Sequence, residues 1–390
     1  MPFAPSWSDS VDHSTPMPSL PHIVLADDLT GAAEVAAIAH EAGLSAVVLT
    51  RLPRAPIAAD VLVFDTDTRL VPPAKAARQV GRVTARLRRW PHAGFYVKTD
   101  SVLRGPVRAQ LAACARALGR PRILLVPANP SLGRVIRAGR YAINGQPLHE
   151  TAFVRDPHHP RRTDEIAGLL DAAPGPLAVC TSRLRRLPPS GLVVGEAAIA
   201  ADIARWAGRA DARTLAAGGG DFFRAWLKKQ SGPRRAVPAW SLPAGGALLL
   251  HGTTIGPGNA RALHFSGVRP PSAVTVRAAL IRHGAVAIAP VPWTLGRPGA
   301  PGAVSRGFAS LAKRLHRTGS FRHLLIAGGA TAATVLRALG WSALKVVRHW
   351  AQGVVTLQPA ADPDFAVTMK PGSYAWPPNL RRAVGNFILS

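Results

Sequence analysis

Three stretches of the chain gather carboxylates, hydroxyls and cations at spacings that chemistry can use. In Asp27-Asp28-Leu29-Thr30-Gly31 two adjacent carboxylates precede a helix-like run. A helix N-cap accounts for one of them, and either could orient a hydroxyl nucleophile or accept its proton. Asp65-Thr66-Asp67-Thr68-Arg69 ends on a guanidinium that could hold a carboxylate bidentately, with a solvated polar loop as the plainer alternative. Lys98-Thr99-Asp100-Ser101-Val102-Leu103-Arg104-Gly105-Pro106 sets Lys98, Ser101 and Arg104 before a helix opened by proline, where anions bind readily.

The second half carries glycine loops instead. Gly328-Gly329-Ala330-Thr331 opens a helix in a manner suited to backbone amides cradling phosphate, although a tight turn explains a Gly-Gly pair as well. Gly252-Thr253-Thr254 and Lys370-Pro371-Gly372-Ser373 are similar, and the three together suggest a nucleotide crevice. The chain has no GxxxxGK[ST] loop, HExxH helix, complete GxGxxG fingerprint or GxSxG elbow. His158-His159, followed by Pro160 and flanked by arginines, reads as a basic loop, and no metal ligands are evident.

The elements that must position these loops follow from hydrophobic patterning. Short apolar runs at His22 to Ala26, Ser45 to Leu49, Val61 to Phe64, Gly94 to Val97 and Ile123 to Val126 predict strands. Helical stretches at Ala32 to Ala42 and Pro106 to Leu118 alternate with them, which predicts a parallel sheet. Ala178 to Thr181 and Leu192 to Val194 continue the pattern, and Ala247 to Leu250, Ala285 to Ala289 and Leu324 to Ala327 restart it. Each polar loop then leaves the carboxyl end of a strand, where an open α/β sheet places its ligands. The Pro- and Arg-rich run from Ser231 to Pro243 marks a linker. The expected layout is a loose tail over 1–20, a first domain over 21–230, a linker over 231–245 and a second domain over 246–390. The fold class is α/β, with two domains, each a mostly parallel sheet flanked by helices, and an active site in the cleft between them.

Length and composition limit the alternatives. A chain of 390 residues, 47% hydrophobic, can bury more than one core. No apolar run is long enough for a signal peptide or a bilayer span, and two distant cysteines exclude a disulfide framework, so a cytoplasmic protein is expected. The net charge of +27 raises nucleic acid as a partner. However, 41 of the 48 basic residues are Arg, dispersed rather than striped, as a GC-rich genome would give, so that partner is not favoured.

The Asp27 to Ala32 stretch, the Asp65 to Arg69 loop, Lys98 to Gly105 and Pro127-Ala128-Asn129-Pro130 to Gly133-Arg134 resemble, in order and spacing, the four-carbon acid sugar kinases. The resemblance covers about Pro21 to Tyr374. It implies a first domain that binds threonate, erythronate or 3-oxo-tetronate, a second that binds ATP, and Mg2+ beside the phosphates. By match of motif, Asp28, Arg69, Lys98, Thr99, Asp100, Ser101 and Arg104 would hold substrate. Gly252, Thr253, Gly328, Gly329, Ala330, Thr331 and Gly372 would hold ATP, and Asp27 or Asp28 would be the base. The assembly is left open between monomer and homodimer. Two departures stand out: the family's acidic residue between Gly-Gly and Thr is here Ala330, and its Lys-Ser-Gly is Lys370-Pro371-Gly372. They motivate a second reading, a catalytically impaired or regulatory relative that still binds the sugar acid.

Overall fold

The computed structural model describes residues 20–156, 158–171, 175–230, 239–253, 262–297, 299–372 and 374–385. Strand and helix alternate through the first half. β1 (His22–Ala26) feeds α1 (Leu29–Glu41), and β2 (Ala46–Leu49), β3 (Val61–Asp65), α2 (Pro73–Leu87), β4 (Gly94–Lys98), α3 (Val107–Leu118) and β5 (Arg122–Val126) follow. An antiparallel insertion of β6 (Arg134–Arg137), β7 (Arg140–Ile143) and β8 (Gln146–Pro147) breaks the rhythm. α4 (Ile166–Leu169), β9 (Leu177–Cys180), β10 (Gly191–Gly195), α5 (Ala200–Arg209), β11 (Thr214–Gly218) and α6 (Gly220–Gln230) complete this half.

The second half begins with β12 (Ala247–His251), β13 (Ala262–Phe265), α7 (Ala273–His283), β14 (Ala285–Pro290), α8 (Pro292–Leu295) and α9 (Ala300–Arg317). It continues with β15 (His323–Ala327), α10 (Gly329–Leu339), β16 (Ala343–Ala351), β17 (Val354–Pro359), β18 (Ala366–Lys370) and α11 (Pro378–Val384).

The α/β class holds, but the two sheets expected from the sequence are joined. One sheet of fifteen strands runs in the order β13-β14-β12-β15-β18-β17-β16-β2-β3-β1-β4-β11-β5-β10-β9. It is parallel except around β16 and β17. The join is the antiparallel pair of β16 with β2, Ala343 opposite Leu49 and Lys345 opposite Val47, extended by Thr50 N–H donating to Ser342 O at 3.0 Å. β2 would otherwise be a bare apolar edge, and covering it satisfies its backbone groups.

This order settles where the polar loops emerge. β3, β1 and β4 are neighbours in one register, with Ala26 opposite both Asp65 and Lys98, so their three loops leave side by side. β12, β15 and β18 are likewise neighbours, with Ala327 opposite both His251 and Lys370. Helix α1 lies at the junction of the halves, packing on β2, β3, α6, α10 and β16. Its Ala-rich sequence is buried nearly all round, as a helix enclosed on every side requires.

Candidate functional site

Asp28 is the N-cap of α1, its Oδ1 accepting from Gly31 N–H at 2.8 Å and its Oδ2 from the Thr30 hydroxyl at 2.5 Å. A side chain at position 31 would crowd that cap, since a Cβ there would lie 2.9 Å from Asp28 Oδ1. Asp27 is engaged on both oxygens by Arg69, Nε at 2.8 Å and Nη2 at 2.9 Å. Arg69 also donates to Asp28, Nη1 to Oδ2 at 2.7 Å and Nη2 to Oδ1 at 2.9 Å, and its Nη1 lies 3.7 Å from Asp100. Burial opposes the charge of this guanidinium, but Asp27, Asp28 and Asp100 hold it well above its ordinary range.

Capping and ion pairing thus account for both carboxylates, and they leave Arg69 no free pair of donors with which to fork a substrate carboxylate. Arg69 instead clamps the two Asp side chains in place. Burial pushes Asp27 upward against the pull of Arg69. Asp28 is the member of the pair that faces solvent, 22% exposed against 4% for Asp27.

The loop after β4 is organised by a second fork. Arg104 donates through Nε and Nη2 to Asp100 at 3.0 and 2.8 Å, and through Nη1 to Asp156 at 2.9 Å. Burial works against the Asp100 charge, but Arg104 and Arg69 hold that carboxyl far below the usual range. Gly105 takes φ +88, and a Cβ there would meet the Arg69 carbonyl at 2.9 Å, so glycine is needed to let the two loops touch. Lys98 is buried; Glu34, 3.1 Å away on α1, overcomes the burial penalty and keeps its pKa raised. The Thr99 hydroxyl is buried without a hydrogen-bond partner among the described residues, and Ser101 accepts from Arg134.

In the second half the glycines lie where backbone must approach closely. Gly328, the N-cap of α10, has φ +111, and its N–H donates to Lys370 O at 3.0 Å. A Cβ on Gly252 would lie 2.1 Å from the Thr331 hydroxyl, which itself pairs with Ser305 at 3.0 Å, and one on Gly372 would lie 2.8 Å from the Thr253 hydroxyl. Gly252, Thr253, Gly328, Gly329, Thr331 and Gly372 therefore converge, whereas Ala330 is exposed on the first turn of α10 and offers no polar group. Thr254 and Ser373 lie outside the described residues.

The two loop sets meet. A Cβ on Gly329 would stand 2.6 Å from the Thr30 methyl, and Arg337 of α10 reaches Asp67 at 2.9 Å.

Several residues of these loops and their neighbours escaped the sequence reading. Glu34 was hidden in the helix following Asp27-Asp28. Asp65 was read only as part of a polar loop, yet burial raises it to about 8. Lys370, whose loop was noted, has no carboxylate partner among the described residues; burial lowers it to about 8, and its ammonium donates to Pro371 O and Gly372 O at 3.2 and 3.3 Å. The signal for Asp65 and Lys370 was the strand end, which marks a position but not a pairing. Among the described residues no group of three or more His, Cys, Asp or Glu is arranged to hold a metal ion.

Two loop sets on joined α/β halves thus lie against each other. Sequence comparison makes the class specific. Residues 22–216 match the family described as a sugar-binding N-terminal domain, and residues 283–374 the one described as a nucleotide-binding C-terminal domain. The chain belongs to the four-carbon acid sugar kinase family.

A D-threonate kinase of Salmonella typhimurium is 35% identical over 38% of this chain and 36% of its own length. A D-erythronate kinase of Heliobacterium modesticaldum is 31% identical over 38% and 35%. These matches span little more than a third of either relative. A 3-oxo-tetronate kinase of Actinobacillus succinogenes is 25% identical over 94% of this chain and 99% of its own. Two solved structures share the fold: a Haemophilus influenzae protein (TM-score 0.73, 22% identity, 94% and 100% covered) and a Salmonella typhimurium protein titled a putative tRNA synthase (TM-score 0.78, 20% identity, 95% and 100% covered). Among the described residues no helix is long and apolar enough to cross a membrane.

Proposed function

We propose that this protein phosphorylates a four-carbon acid sugar of the threonate, erythronate or 3-oxo-tetronate class with ATP. The observation that carries the reading is the approach of Gly329 to Thr30, which sets a phosphate cradle against the carboxylate loop. A phosphoryl group held by one loop then lies next to a hydroxyl held by the other, which is what transfer by positioning requires. In this account 21–230 is the sugar half, 246–390 the nucleotide half and 231–245 their connection, of which 231–238 lies outside the described residues.

The geometry supports the following roles. Asp28, solvent-facing and fixed by Arg69, orients the hydroxyl and accepts its proton. Asp27 and Arg69 hold Asp28 in place, and the loop from Lys98 to Ser101 with Arg104 shapes the sugar pocket. The glycine loops fit nucleotide because one of them opens α10, whose first-turn amides a phosphate can meet, and Lys370, with no carboxylate partner among the described residues, suits phosphate. Magnesium would enter on the ATP phosphates and offset their charge, as that ion commonly does with one or two carboxylates.

The second reading, a sugar-binding relative with impaired transfer, rests on the first turn of α10, which has no acidic residue. Calorimetry separates the two: ATP binding near the affinity of an ordinary kinase supports the first, and sugar binding with no detectable ATP binding supports the second.

A further inference from the structure

Four guanidinia hydrogen-bond within the sugar-side cluster, and they differ in what remains to donate. Arg69 gives four of its five N–H groups to Asp27 and Asp28. Arg104 is forked onto Asp100 and tied to Asp156. Arg161 donates to the carbonyls of His159, Leu103 and Leu169. Arg134, half-buried at the start of β6, makes one side-chain hydrogen bond, from Nη1 to the Ser101 hydroxyl, and no described carboxylate pairs with it.

Its position is nonetheless fixed. The guanidinium lies over the Phe153 ring at 5.8 Å, and Arg104 lies over the same ring at 5.5 Å, so two cations share one aromatic platform. Two like charges side by side are unfavourable; Asp100 and Asp156 pair with Arg104, and Asp100 also lies 3.7 Å from Arg69, but neither pairs with Arg134. Only Nη1 of Arg134 donates to a described residue, so an anion arriving beside Ser101 can take its Nε and Nη2.

We propose that Arg134 is the residue that takes the carboxylate of the acid sugar, through Nε and Nη2, and so selects an acid over a neutral polyol. This rests on the kinase reading above and names the substrate contact that Arg69 cannot make. The antiparallel insertion beginning at β6 then has a purpose: it carries the carboxylate receptor to Ser101, in the loop whose Asp100 lies 3.7 Å from Arg69. The acid end of the substrate is held there while its hydroxyls extend toward Asp28.

The test is steady-state kinetics and calorimetry on wild type, Arg134→Gln and Arg134→Lys, with D- and L-threonate and erythronate as probes and melting temperature as the folding control. Loss of a charge-assisted pair predicts a rise in KM for the acid of about 10- to 100-fold in R134Q. The KM for ATP should stay unchanged, kcat at saturating acid should stay within about threefold, and R134K should recover part of the loss because it keeps the charge without the fork. Should R134Q not fold, the R134K comparison carries the same reading. Should wild type bind an acid without turning it over, the calorimetric Kd replaces KM. An unchanged KM or Kd in both variants overturns the assignment of Arg134 and leaves the kinase reading intact. A wild type that neither binds nor phosphorylates any of the acids overturns both.

Discussion

Asn caps a helix about as well as Asp, so Asp28→Asn leaves the bond from Gly31 N–H and the start of α1 in place while removing the charge that faces the crevice. Turnover should fall about 10²- to 10⁴-fold, the usual worth of a positioned base, with the melting temperature changed by only a few degrees. Wild-type kcat in that variant would contradict the role given to Asp28. Asp65 makes a different prediction. Its carboxyl keeps a proton up to about pH 8 in the fold, against 3.8 as the ordinary value. Between those limits the folded chain holds more protons than the unfolded one, so this residue's contribution to stability falls as pH rises. Asn carries no such loss. The melting temperature of Asp65→Asn minus that of wild type should therefore climb between about pH 5 and pH 8 and level off above; a flat difference would show that Asp65 is ionised in the fold.

At the scale of elements, the loops depend on their strands sitting side by side, and α10 must begin against Thr30. Gly329→Ala would place a methyl 2.6 Å from the Thr30 side chain and force the two loops apart. A shift of this kind misaligns donor and acceptor, so kcat/KM should drop by about tenfold or more, with binding of the sugar acid alone unchanged. A variant with full kcat/KM would mean that the two loops do not meet during transfer. Much of this was legible in the sequence. The strands before the three polar loops are short apolar runs that stop at Asp27, Asp65 and Lys98, and parallel pairing then brings those ends together. The pairings within the loops were not legible, because which acid takes Arg69 depends on register between β1 and β3, and spacing along the chain does not carry that. Glu34 was invisible for a related reason: on α1 it looks like an ordinary helix residue until β4 brings Lys98 beneath it.

For the whole molecule, the sequence suggested a separate main sheet in each half, and the structure joins them into one sheet of fifteen strands through β16 and β2. The hairpin of β16 and β17 gave no warning, since it departs from the strand-helix alternation that organised the rest. The exposed ion pair of Arg337 with Asp67 adds little to the join, but the shared backbone ladder and the enclosed α1 couple the halves. Calorimetric unfolding should accordingly show a single transition with or without sugar acid, whereas two separated transitions would indicate halves that fold independently. The most direct test of the central claim is ADP release by the purified protein given ATP, Mg2+ and a panel of D- and L-threonate, erythronate and their 3-oxo forms. This account predicts turnover with at least one of them and its collapse in Asp28→Asn; silence across the panel, or turnover that survives in Asp28→Asn, would contradict it.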